Sequence, residues 1–197
     1  SEVLVIADET SNPKYVAADL LSQAEHDILA SAVLLTTSEE LAKKVDAEMV
    51  RQTAYLSRKD LIVQSLENFG AAIVCPDLQT CADLANEIAP EHLEICTKEP
   101  RAVLPMILNA GAVFLGENAP EPLGDYLAGP NHVLPTSGTA RFFSPLSGDS
   151  FLKTMSILEY SRDSLEKQWK QIVTFAKAES LTAHANSIEV RFEEEKS

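Results

Sequence analysis

Five short apolar runs punctuate the chain: VLVIA (3–7), AVLLTT (32–37), AAIVC (71–75), HLEICT (92–97) and AVFLG (112–116). VLVIA reads as a buried strand, and the other four runs read as strands. Between them lie longer stretches with helical spacing. Pro13 to Leu29 predicts a helix, with Ser11 or Asn12 as its cap and Pro near its first turn. Ser38 caps a long helical stretch that runs to about Gly70, and Asp77 or Thr80 opens another to about Ile88. Pro105 interrupts a short helix after the fourth run. The alternation predicts an α/β layered fold with a mostly parallel sheet.

After Glu117 the pattern changes. Residues 117–149 are rich in Pro, Gly and Ser, and a loop of that length within a domain usually carries function. Phe151 to Glu179 reads as two helices, and SIEVRFE (187–193) as a terminal strand or extended arm. A boundary near 145–150 therefore divides an α/β domain, 1–147, from a small C-terminal helical unit, 148–197. The chain opens SEVLVIAD, already inside a strand pattern, which reads as a piece of something longer.

Charge excludes some functions. Lys and Arg number 16 against 30 Asp and Glu, a net charge of -14. A duplex binder needs a basic face, and an anionic membrane attracts one, so neither nucleic acid nor membrane is an expected partner. Part of the excess lies in the tail RFEEEKS, which reads as solvated. No apolar run approaches the roughly 20 residues that span a bilayer. Three cysteines without CxxC spacing argue against a disulfide framework or a thiolate zinc site and fit a reducing cytoplasm. The turn after the first run, ADETSNP, contains no glycine, so the usual phosphate-cradling turn is missing.

Four histidines, His26, His92, His132 and His184, lie in polar contexts. Gln23 and His26 are three apart on the predicted first helix and would share a face. Glu91-His92 stands where a helix gives way to a strand. It is either a proton-transfer pair at the end of a parallel strand, in the crevice where such folds bind ligands, or a solvent-facing strand cap. Asp125, beside a glycine, is either a metal ligand or a turn former. Spacing alone does not decide among these.

SEVLVIAD, DLLSQAEHD, APEHLEI, GDYLAGPNHVLPTSGTARF and LTAHANSIEVR, in this order, closely resemble histidinol dehydrogenase. The resemblance covers the whole chain but only about the C-terminal half of that enzyme. It implies an incomplete Rossmann-like sheet and a cytoplasmic homodimer. It also implies zinc-dependent oxidation of L-histidinol to L-histidine through bound L-histidinaldehyde, with reduction of two NAD+. By the same resemblance, Gln23, His26, Asp125 and His184 are zinc ligands that also bind substrate, and Glu91 and His92 are the acid–base pair, His92 touching substrate as well. Ser1, His132 and Glu179 are implied as further substrate contacts. His184 and Glu179 would be supplied across the dimer, and most NAD+ contacts would lie in the other half of the enzyme. The alternative is a metal- and substrate-binding or dimerisation piece without turnover of its own.

Overall fold

The computed structural model describes residues 1–193; the end of the acidic tail, 194–197, lies outside them. The chain divides into two compact units, Ser1–Phe151 and a second that begins at Leu152.

The first unit is built on five strands: β1 (Glu2–Ala7), β2 (Ser31–Thr36), β3 (Gly70–Val74), β4 (His92–Cys96) and β5 (Ala112–Leu115). All pair in parallel, in the order β3-β2-β1-β4-β5. This is the order of a Rossmann-type sheet short of its sixth strand. Val3, Val5 and Ala7 point to one face, where Val16, Ala17 and Leu20 of α1 (Pro13–Ala24) and Leu41 and Val45 of α2 (Glu39–Thr53) cover them. Leu4 and Ile6 point to the other face, against Cys81 and Ala85 of α4 (Leu78–Ile88). Both faces of β1 are therefore dry, which is why VLVIA shows no alternation. Each buried Val, Leu or Ile among them contributes roughly 1.5–3 kcal/mol.

Local chemistry sets the helix ends. Asn12, Ser38 and Asp77 cap α1, α2 and α4, each accepting a backbone N–H of the first turn. The predicted first helix ends at Ala24 rather than Leu29. There Asp27 accepts the N–H of Leu29 at 2.8 Å and of Ala30 through its carbonyl, and the chain turns into β2. The long stretch from Ser38 to Gly70 is two helices, α2 and α3 (Lys59–Phe69). The chain turns at 54–58 so that Leu56 and Ile62 pack with Leu21 and Ala24. Pro100 opens the short α5 (Pro100–Val103), and Pro105 lies in the 3-10 turn that follows. The long loop is not structureless: it holds α6 (Glu121–Tyr126) and 3-10 turns at Thr139–Arg141 and Gly148–Phe151.

The second unit holds α7 (Arg162–Glu166), α8 (Trp169–Ala178) and α9 (Thr182–Glu189), so helix begins at 162 and not at 151. The expected terminal strand over 187–193 is not formed. Residues 182–189 are helical because Ala185 and Ile188, at helical spacing, pack on Val173, Ala176 and Trp169. That burial overrides the strand preference of the Ile and Val.

Candidate active site

Ala89 closes α4 in the left-handed region at φ 54, and Pro90 follows. This bend delivers Glu91 and His92 to the amino end of β4, where Val3 pairs with His92. Ligands of such folds usually bind outside the carboxyl ends of the strands. The pair lies at the opposite edge. Helix α1 runs back against β1, so its last turn, with Gln23, returns to that same amino edge.

Glu91 and His92 are both buried. Glu91 Oε2 accepts from the hydroxyl of Ser1 at 2.5 Å and from the N–H of Glu2 at 3.1 Å. Two donors thus fix the carboxylate. His92 Nδ1 lies 3.0 Å from the carbonyl oxygen of Glu2. A carbonyl only accepts, so Nδ1 carries the proton and Nε2 is left with its lone pair when the ring is neutral. Nε2 is buried and has no hydrogen-bond partner among the described residues. It faces Glu121 Oε1 at 3.8 Å and Asp125 Oδ1 at 3.9 Å. Glu121 and Asp125 are four apart on α6 and so share a face. Gly124 between them packs against the ring of Phe114 on β5; a Cβ there would sit 2.7 Å from a ring carbon.

The strand beneath is polar on one side. Cys96 of β4 packs on the α1 face and Leu93 and Ile95 on the other, so His92 and Glu94 point toward α1 and α6. Glu94 is 1% exposed, and its Oε1 accepts the N–H of Glu121 at 2.8 Å. Burial, then the charge of Asp19 on α1, push the Glu94 carboxyl up to about 9. Burial raises Asp19 to about 6. Burial, then the hydrogen bond and charge of Asp125, raise Glu121 to about 7. Among the described residues no lysine or arginine pairs with Asp19, Glu91, Glu94, Glu121 or Asp125. Crowded carboxyls without a cation favour a bound positive ion.

The donor chemistry fits a divalent metal. One ligand atom each from His92, Glu121 and Asp125 lie within 4.8 Å of one another. Gln23 Oε1 is buried without a partner among the described residues, and leaving it so costs roughly 1–3 kcal/mol. Carboxylate and amide oxygens with an imidazole nitrogen make an acceptable zinc set. The single lone pair of His92 Nε2 serves a metal or a proton but not both at once, so a base at His92 leaves the metal to other donors.

The other expected residues are placed differently. His26 is exposed and lies past the end of α1, its N–H bonded to the carbonyl of Gln23, so the two do not share a helix face. His132 is exposed in the loop after α6. In the second unit, Glu179 ends α8 and His184 lies on α9 rather than in a turn; both are exposed. A cavity of about 660 Å³ lies elsewhere, between α2, α3 and the β2–β3 edge, and none of the expected site residues lines it. Sequence reasoning missed Glu121, Glu94 and Asp19. The four-residue spacing of Glu121 and Asp125 was the available signal, masked by Pro120 and Pro122.

Residues 1–192 match the family described as histidinol dehydrogenase. The chain belongs to that family. It is 64% identical over 187 residues to the histidinol dehydrogenase of Caldanaerobacter subterraneus subsp. tengcongensis, covering 95% of this chain and 44% of that protein. To the histidinol dehydrogenase of Lactococcus lactis it is 55% identical over 194 residues, covering 98% of this chain and 45% of the relative. The crystal structure of histidinol dehydrogenase from Elizabethkingia anophelis superposes with a TM-score of 0.86 at 40% identity, over 97% of this chain and 44% of that one. The chain thus spans less than half the length of the histidinol dehydrogenases it matches.

Proposed function

We propose that this chain is the part of a histidinol dehydrogenase that holds the metal, the substrate and the acid–base pair. The reaction is oxidation of L-histidinol to L-histidine through bound L-histidinaldehyde, with two NAD+ reduced. The observation that carries the proposal is the bare Nε2 of His92, buried, with its tautomer set by the Glu2 carbonyl and two carboxylates in front of it.

His92 Nε2 takes the hydroxyl proton of the alcohol. The positive ring so formed lies 3.8–3.9 Å from Glu121 and Asp125, whose charge offsets it. Glu91, fixed by Ser1 and Glu2, takes a proton from the water that adds to the aldehyde. Once its first proton has passed to solvent, His92 takes the second hydroxyl proton, from the hydrate, and in each oxidation the hydride leaves carbon for NAD+. Burial of both groups keeps bulk water from the aldehyde and raises its effective concentration. Ser1, Gln23, His26, Asp125, His132, Glu179 and His184 complete the substrate's surroundings in this reading. Gln23, His26, Asp125 and His184 would hold zinc, with His184 and Glu179 reaching the site across a homodimer. Zinc, when bound, supplies a fixed positive charge that orients the amine and imidazole of histidinol, without redox chemistry of its own.

The dinucleotide is assigned to no residue here. The turn after β1 has no glycine, and Asp8 accepts the N–H of Thr10 in that turn and the N–H of Lys98 in the turn after β4. These residues do not fit a pyrophosphate, which favours a second reading for the isolated chain: zinc and histidinol binding without turnover. A reducing cytoplasm is the proposed compartment, supported by Cys75, Cys81 and Cys96 being free, buried thiols. No helix among the described residues is long and apolar enough to cross a membrane.

Nitrogen-15 NMR of the histidine side chains tests the base assignment. The neutral His92 ring is expected to be protonated at Nδ1, and zinc with L-histidinol is expected to move its Nε2 resonance. An Nε2-protonated ring, or a resonance indifferent to both additions, removes His92 as the base.

A further inference from the structure

Helix α6 carries two of the three groups that converge beside His92, yet it has only six residues and a poor start. Its N-cap is Pro120, which offers no side-chain acceptor, and Pro122 has no N–H to give. The N–H of Leu123 bonds back to the carbonyl of Pro120. The N–H of Glu121 is satisfied from 27 residues away, by Glu94 Oε1 at 2.8 Å. A helix this short does not hold itself in water, so its position is set by what it is bonded to.

Glu94 is an unexpected residue for its place. It lies in the middle of a fully buried strand, paired in register with Val5 and Phe114. An apolar side chain would avoid the cost of burying a carboxyl there. We propose that Glu94 is a positioning residue: by holding the first N–H of α6, it sets the distance from the Glu121 and Asp125 carboxylates to His92 Nε2. Gly124 lets the same helix lie on Phe114, so α6 is clamped at its start by Glu94 and at its middle by a ring. The inference rests on the proposed function only insofar as zinc is its reporter.

Glu94→Gln keeps a carbonyl oxygen at the accepting position, and the Asp19 carboxyl beside it can accept from the new amide. Glu94→Leu keeps the bulk and removes the acceptor. Zinc affinity, read by competition with a chromophoric chelator, is expected to stay within about threefold in the Gln variant and to fall about tenfold or more in the Leu variant, the range for lost outer-shell partners of a metal ligand. The Glu121 amide proton is expected to exchange slowly with solvent in the wild-type chain and the Gln variant. A folded Leu variant with wild-type zinc affinity overturns the proposal, as does a Gln variant that loses tenfold. So does a wild-type Glu121 amide that exchanges at the rate of an open loop. A wild-type chain without zinc affinity counts against the proposed function instead, and amide exchange then decides the role of Glu94.

Discussion

The ring of His92 draws its properties from neighbours that do no chemistry. The Glu2 carbonyl selects the tautomer, Ser1 and the Glu2 N–H hold Glu91, and the Glu2 carboxylate reaches Ser137 at 2.7 Å and ties the distal loop to the same corner. Asp125→Ala is expected to weaken zinc binding at least about tenfold; unchanged affinity by chelator competition would take Asp125 out of the ligand set. Glu91→Gln should leave zinc and histidinol binding unchanged. In the full-length enzyme it should slow oxidation of the aldehyde by about 10²–10⁴-fold, the range for a lost general base; an unchanged single-turnover rate for that step would exclude Glu91. Glu91 and His92 stood out in sequence as an adjacent pair before an apolar run, but the choice between a proton-transfer pair and a solvent-facing cap stayed open there; their burial removes the second. Glu121 and Glu94 did not stand out, because their importance comes from a bond spanning 27 residues and from burial that no short window displays.

Elements place these residues more than their own preferences do. The central strands were legible because β1 and β4 bury both faces; β3 and β5, at the edges of the sheet, kept apolar runs although their residues are exposed or only half-buried. Helix ends were legible where an Asn, Ser or Asp caps them. They were not where a tertiary contact bends the chain, as at Leu56, or where packing wins over β preference, as at Ile188. That Glu91 and His92 sit at the start of β4 was legible, since they precede the apolar run; that Gln23 returns to the same edge was not, because it depends on α1 packing back against β1. Helix α6 gives an element-scale test. Gly124→Ala would drive a methyl into the Phe114 ring, with an expected cost of about 1–3 kcal/mol for overpacking and weaker zinc binding as the helix lifts. Denaturant unfolding and chelator competition measure the two together; a variant as stable and as tight as wild type would show that α6 does not rest on Phe114.

At the scale of the molecule, the unpaired carboxyls make stability depend on pH. Asp19, Glu121 and Glu94 are raised to about 6, 7 and 9, above the ordinary carboxylate range of about 4. The metal-free folded chain therefore binds more protons than the unfolded chain between those limits, and its stability falls as pH rises. Their stabilisation is full below the ordinary range and is lost progressively as pH rises, each group's share being gone above its own raised value of about 6, 7 or 9. The metal-free urea midpoint is expected to be lower at pH 9 than at pH 5; a higher one would contradict the burial of these groups. Zinc should raise the unfolding free energy by about 2.7 kcal/mol at a hundredfold excess over its Kd, and the midpoint with it. The most direct test of the whole account is calorimetric titration of L-histidinol into the zinc-loaded chain, beside a sample stripped with chelator. Binding heat that disappears with the metal is the expected result. Equal heat in both samples, or none in either, would contradict a zinc-dependent histidinol site built from these residues.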